Sequence, residues 1–294
     1  MRTADETPAV DWIPTGLSKL DSILGGGIPT KRITEISGPF SVGKTTLALT
    51  VVANAQREGY KTLWCDQEWS FEREYATTLG VNNKKLSFIQ EKYAETALDA
   101  LESYAEDNHD ALIILDAIGA LLPRLEAEKG NEGKTIGGQA GLVAKFSRKV
   151  VPLLSLNNNA LIVLNHEFQD IMSGKIMTSG GKKLEHAKAI WLKLRKLSKR
   201  VMQGDKQIGD VIEAEVRKNK LAPTMKQSCE LTLLYGSGFY READILETAL
   251  EKGIITKKGQ SFFLGEEKLA RGMAALREAL KSPELLEKVK SMLQ

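Results

Sequence analysis

The strongest pattern in the chain is a set of short, almost continuously apolar runs separated by segments of helical period. RITEISG (32–38), KTLWCD (61–66), ALIILDAI (111–118) and ALIVLNH (160–166) are rich in Ile, Leu and Val. Strands covered on both faces of a parallel sheet read this way. Between them, Thr45–Glu58 sets Leu47, Ala48, Val51, Val52 and Ala55 on one side of a helix. Glu95–Glu106 and Leu142–Leu156 share that rhythm, and Pro152 predicts a kink in the second. Strand and helix alternate, so the expected class is α/β with a mostly parallel central sheet.

The rhythm then changes. Segments 189–197, 210–219 and 229–235 read as successive strands with short polar turns, extending the sheet with antiparallel neighbours. After YGSGFY (235–240) come a helix near Glu242–Lys252, a short hairpin-like stretch through Phe263, and two amphipathic helices to Gln294. Pro283 falls in the first turn of the last helix, where a missing N–H costs little. The expected division is a short segment 1–11, a core 12–235 and a small α+β C-terminal domain 236–294.

Composition narrows the class without naming a partner. A length of 294 residues suits one large domain, or one plus a small one. The formal net charge of +3 is too small to prove a polyanion partner by itself. The opening MRTADETPAVDW is polar and acidic, unlike a secretion signal. No apolar run reaches the roughly 18 residues of a membrane helix, so no membrane partner is expected. Cys65 and Cys229 lie in apolar runs and read as buried reduced thiols of a cytoplasmic protein.

Chemistry enters at GPFSVGKTT (38–46), which fits G-x-x-x-x-G-K-[ST] between a predicted strand and a predicted helix. Gly38, Pro39, Phe40, Ser41, Val42, Gly43, Lys44, Thr45 and Thr46 would wrap phosphates with backbone N–H groups at a helix N-terminus. Lys44 can reach the β- and γ-phosphates of ATP, and the Thr45 hydroxyl can hold Mg²⁺. Asp116 ends the strand LIILD, so its carboxylate points into the ligand crevice as a second holder of the metal. Glu68 and Asp66 both sit at the end of KTLWCD, and either could activate the attacking water. Spacing does not choose between them.

Three stretches carry a wider likeness. PTGLSKLDSILGGGIPTKRITEISGPFSVGKTTLAL (14–49), AQREGYKTLWCDQEWSFEREYATTLGV (55–81) and RKNKLAPTMKQSCELTLLYGSGFY (217–240) resemble the RecA family of recombinases. The last is the most specific, because it is not a generic ATPase motif. The resemblance spans about residues 12–294. It implies that Glu68 is the residue that activates water, and that Glu72 and Tyr75 hold the adenine ring. Lys218 and Lys220 fall on lysines that reach the γ-phosphate held by a neighbouring protomer, so hydrolysis would depend on assembly.

The resemblance also places two DNA loops. One is RLEAEKGNEGKTIGGQ (124–139), followed by Lys145 and Arg148 as phosphate contacts. The other is His166–Gly181, with Phe168, Ile171, Met172, Lys175, Gly180 and Gly181; Ile171 aligns with an aliphatic residue that separates base triplets. Single strands are held by charge neutralisation plus apolar contact to base faces, which suits this composition. Arg195 and Lys196 fall in a second DNA site, but Glu213 and Glu215 stand at two other positions of that site. His166 occupies the γ-phosphate sensor position, where bacterial members carry Gln and some phage strand-exchange proteins carry His. A histidine can donate a hydrogen bond there and can also carry charge near neutral pH. Further departures are a short N-terminal arm, the C-terminal KVKSMLQ in place of an acidic tail, and Glu185-His186 at a protomer interface.

The expected function is therefore ATP-dependent homologous recombination. A helical filament of this chain on single-stranded DNA would pair it with homologous duplex and exchange strands, with DNA-stimulated ATP hydrolysis. The alternatives are a RecA-fold ring ATPase of helicase or KaiC type, and a filament that protects DNA without exchanging strands.

Overall fold

Ile33–Gly38 is buried along its whole length and lies inside the main sheet, flanked by strands on both sides. The computed structural model describes residues 9–128, 138–169, 176–222, 227–280 and 282–293. Across the sheet the strands run Gly238–Phe239, Ser228–Leu234, Lys206–Asn219, Ile190–Gln203, Ile33–Gly38, Ala160–Gln169, Ala111–Asp116, Lys61–Asp66 and Leu86–Ile89. The pairings from Ile190–Gln203 through Leu86–Ile89 are parallel. The remaining strands join antiparallel, so the sheet is mixed but mostly parallel, as its sequence pattern predicts.

The apolar runs are continuous because both faces are covered. Ile114, Ile162 and Leu164 point into one cluster with Leu47, Val51 and Val52 of helix Lys44–Arg57. Their neighbours Ile113, Leu115 and Val163 point into the other, against Leu98, Leu101 and Phe146 of helices Ala94–Asp107 and Gly138–Leu156. Pro152 stands on the exposed side near the end of its helix, which continues through it.

Three elements differ from the sequence pattern. Ala160–Gln169 outruns its apolar stretch, because Glu167, Phe168 and Gln169 pair antiparallel with Ile176–Thr178. The hairpin of Ile190–Gln203 and Lys206–Asn219 extends well past residue 197, through KLSKR. Its charged positions stay in strand because they meet opposite charges across the ladder, as Arg195 meets Glu213. In the C-terminal region a three-stranded sheet of Ile255–Lys258, Ser261–Leu264 and Glu267–Arg271 replaces a single hairpin. With Ile245, Leu246, Leu276 and Val289 it makes its own apolar cluster.

That cluster is tied to the sheet by polar contacts that no local pattern shows. Asp244, on helix Arg241–Glu251, accepts from the backbone N–H of Ser18 and, at 3.2 Å, from that of Lys19. It thereby caps helix Ser18–Leu24, which has no cap of its own. Lys19 pairs back to Glu247. Below them Asp21 accepts from the Thr15 N–H at 2.8 Å and the Thr15 hydroxyl at 2.7 Å. Burial raises the Asp21 carboxyl to about 7 and the Asp244 carboxyl to about 6. No helix among the described residues is long and apolar enough to cross a membrane.

A folded pKa above the ordinary value near 4 means that the folded state holds the proton more tightly. The Asp21 contribution is then fully present below about pH 4 and is lost as pH rises through about 7. Asp21→Asn keeps an oxygen for Thr15 and removes the titration. Urea midpoints from pH 4 to 8 are expected to fall less steeply in this variant than in the wild type. An unchanged slope would assign the pH dependence to another group.

Candidate nucleotide and DNA site

The parallel strands end together on one edge, and the candidate residues hang from those ends. Gly38 closes Ile33–Gly38 where the neighbouring strand passes very near. A Cβ there would lie 2.6 Å from the Leu194 carbonyl oxygen, so the position requires glycine. The turn then takes left-handed conformations at Ser41 (φ 56°) and Gly43 (φ 96°) before helix Lys44–Arg57 begins. Such a turn at a helix start presents N–H groups to an anion. A cavity of about 350 Å³ opens over it, lined by residues 40–46, Glu68, Asp116, His166 and Leu233.

Lys44 is buried, and its ammonium donates to the carbonyls of Gly38 (3.1 Å) and Pro39 (2.8 Å). It also meets His166 Nδ1 at 3.1 Å. Burial lowers its pKa. His166 Nε2 lies 2.5 Å from Glu68 Oε1, so one imidazole touches both the P-loop lysine and the candidate base. The Phe40 ring stacks on it at 4.3 Å between centroids and 22° between planes, although Phe40 is itself 75 % exposed. The motif places Phe40 only within the phosphate wrap; a stack depends on a side-chain direction that the motif does not encode.

Asp116 faces Thr45, whose hydroxyl donates to its Oδ2 at 3.3 Å. Burial, and then the negative charges of Glu68 and Asp66, raise its carboxyl to about 7. This concentration of buried negative charge beside a hydroxyl is a set of hard oxygen donors that suits Mg²⁺. The lysine and turn N–H groups on the other side suit phosphate, so the residues present fit both members of a Mg–ATP pair.

The structure separates the two acids at the end of Lys61–Asp66. Asp66 is fully buried and committed to its own turn, accepting from the N–H groups of Ser70 (3.3 Å) and Phe71 (3.1 Å) and from Gln90 (3.1 Å). Glu68 is the one that lines the cavity. Tyr75 is held by Thr46, hydroxyl to hydroxyl, at 2.9 Å, whereas Glu72 is exposed at the start of helix Arg73–Thr78. Beyond Tyr75 a second cavity of about 340 Å³ is lined by Thr50, Leu79, Gly238, Phe239, Tyr240 and Arg241. Its sequence signal is the YGSGFY turn, which carries two tyrosines but no acid, histidine or lysine.

The other candidates lie elsewhere. Lys218 and Lys220 line neither cavity. They donate to the carbonyls of Glu185 (2.5 Å) and His186 (2.7 Å) at the C-terminal end of helix Gly181–Ala187. Lys145 and Arg148 are exposed on helix Gly138–Leu156. Phe168, Ile176 and Met177 are exposed on the hairpin that follows His166. Gly180 (φ 98°) and Gly181 (φ 70°) turn the chain from that hairpin into the next helix. Ile171, Met172 and Lys175 lie outside the described residues, as does most of 124–139. Arg195 grips Glu213 through Nε (3.0 Å) and Nη2 (2.7 Å), Lys196 pairs with Asp210 (2.6 Å), and Lys199 pairs with Glu230 (2.6 Å).

Comparison with known proteins gives the family that the chain resembles. The family model described as RecA N-terminal domain matches residues 1–240. The Protein RecA of Thermus aquaticus is 37 % identical over 287 residues, covering 96 % of this chain and 84 % of that protein. That of Aquifex pyrophilus is 38 % identical, covering 97 % and 83 %. That of Chloroflexus aurantiacus is 35 % identical, covering 100 % and 85 %.

The tight passage at Gly38 yields a direct test. In Gly38→Ala the new methyl must push back either Leu194 or the phosphate turn, at a cost of about 1–3 kcal/mol for overpacking. Urea unfolding is expected to show that loss, with weaker nucleotide binding by fluorescence titration. Wild-type values for both would mean that the strand spacing relaxes freely.

Proposed function

This chain belongs to the RecA family, and from that footing we propose how its own residues carry the family's work. It is a DNA-dependent ATPase of strand-exchange recombination, and the family binds ATP and works on DNA as filaments. Residues 38–46 hold the phosphates through backbone N–H groups and Lys44. Thr45 and Asp116 would hold Mg²⁺, which neutralises charge on phosphate oxygens when bound. Glu68 Oε1 accepts the proton of the attacking water. Tyr75 and Glu72 border the base.

A single contact set supports this reading best. His166 joins Lys44 to Glu68, and the next residue, Glu167, opens the exposed apolar hairpin. A change at the phosphates therefore moves the strand end that carries the DNA-facing segment. Lys218 and Lys220 lie away from their own chain's cavity, and on leaving the two helix-end carbonyls that hold them they would serve a neighbour's, which makes turnover a property of the filament. Phe168 and Gly181 face single-stranded DNA together with the sequence positions Ile171, Met172 and Lys175, while Gly180 is buried against Leu184 and only sets the turn, and Lys145 and Arg148 neutralise the DNA backbone.

ATP hydrolysis is expected to be low without DNA and to rise with single-stranded DNA; full turnover without DNA would count against the reading. Closed hexamers alone, seen by electron microscopy with ATP and DNA, would favour a ring ATPase. Glu68→Gln should lower stimulated turnover by about 10²–10⁴-fold, the usual worth of a positioned base. Lys218→Ala with Lys220→Ala should lower it by about 10³-fold or more, on the scale of a finger supplied in trans, while nucleotide binding persists. His166→Ala should uncouple DNA affinity from ATP; a variant with wild-type coupling would make His166 a structural residue.

A further inference from the structure

A buried polar network runs beneath the DNA-facing hairpin, and its centre is a lysine with no role in the nucleotide site. Lys188 follows helix Gly181–Ala187 and is 1 % exposed. Its ammonium meets Glu35 Oε2 at 2.6 Å, and Glu35 is fully buried in the P-loop strand. The other oxygen of Glu35 accepts from Asn165 Nδ2 at 3.3 Å. The same Asn165 amide grips Ser179 at two points, donating to its carbonyl at 2.8 Å and accepting its N–H at 3.1 Å. Asn165 precedes the hairpin and Ser179 ends it, so one amide closes its base.

A second branch reaches the same hairpin from the same strand. Lys188 lies 3.9 Å over the Trp191 ring, and Trp191 Nε1 donates to Ser37 Oγ at 2.7 Å. Ser37 donates to Glu167 Oε1 at 3.0 Å, and Glu167 Oε2 meets Lys193 at 2.8 Å. Glu35 and Ser37 are two residues apart on a strand and therefore share a face. One face of the P-loop strand thus holds both ends of the hairpin.

The chemistry depends on the sign of charge. A carboxylate paired with an ammonium only accepts hydrogen bonds. It therefore selects the Nδ2 end of Asn165 and leaves Oδ1 for the Ser179 N–H. A group at position 35 that also donates would let the amide turn over and lose the two-point grip. We propose that Lys188 is a positioning residue for DNA binding: paired with Glu35, it fixes the Asn165 amide that clamps Ser179 and so presets the hairpin. This rests on the reading of 166–181 as a DNA-facing segment.

The test compares wild type with Lys188→Met, Lys188→Arg and the double variant Glu35→Gln with Lys188→Met. Lys188→Met leaves a buried carboxylate without its cation, so it should melt lower than wild type. The double variant removes that charge and should regain most of the melting temperature. It should still need about tenfold more single-stranded DNA for half-maximal ATPase stimulation, an ordinary size for coupling between sites. Lys188→Arg should fall nearer to wild type. Recovery of both stability and DNA response in the double variant would make Lys188 a structural ion only, and overturn the proposal. Amide exchange in the wild type gives an independent reading: the Ser179 N–H should exchange slowly, and exchange at the open-chain rate would overturn the clamp. Absence of DNA stimulation in the wild type would instead sink the functional reading itself.

Discussion

Burying polar side chains in a strand covered on both faces is costly unless they find partners. In Ile33–Gly38 the Thr34 hydroxyl is left without one among the described residues, whereas Glu35 and Ser37 find them. Their partners are what connect the two halves of the candidate site. Glu35 draws in Lys188 and Asn165, and Ser37 draws in Trp191 and Glu167. The strand's own end becomes the phosphate turn. One buried segment therefore positions the nucleotide loop at its tip and the hairpin base along its side. The cost of burying polar groups has been turned into a fixed geometry between them.

The edge of the sheet imposes a second constraint. Parallel strands deliver Gly38, Asp66, Asp116 and His166 to one side, so like charges crowd there. The molecule handles Asp66 and Glu68 differently. Asp66 is saturated by N–H groups of the turn it folds, whereas Glu68 shares His166 with Lys44. The Asp116 carboxylate is left with a single hydroxyl donor among the described hydrogen bonds, and burial beside Glu68 and Asp66 raises its pKa to about 7.

Much of this is readable from the chain alone. The central strands announce themselves because two-sided burial removes alternation, and the phosphate turn because glycine spacing and a following helix have few other uses. Legibility fails where partners are distant in the chain. Asp244 capping Ser18, and Lys188 reaching Glu35, cross 226 and 153 positions, and neither side of such a pair marks itself. KLSKR reads as a loop-like charge run until Asp210 on the adjacent strand and Glu230 on the strand beyond it are known as its partners. Leu86–Ile89 lacks a strong pattern because, as an edge strand, it is only partly covered.

The hairpin of Ile190–Gln203 and Lys206–Asn219 has one more consequence. Five of its eight Lys and Arg side chains pair with carboxylates, Arg195–Glu213, Lys196–Asp210 and Lys199–Glu230 among them, whereas Arg200 and Lys206 have no carboxylate partner among the described residues. A row of such pairs behaves as dipoles, whose field dies away faster than that of isolated charges and is cut further by a Debye length of about 8 Å at physiological salt. The paired cations therefore add little to the field of this face at a distance, and the exposed Arg200 and Lys206 dominate it. Long-range attraction of a polyanion to the hairpin then rests on those two side chains near its turn, and the paired cations count only at contact distance.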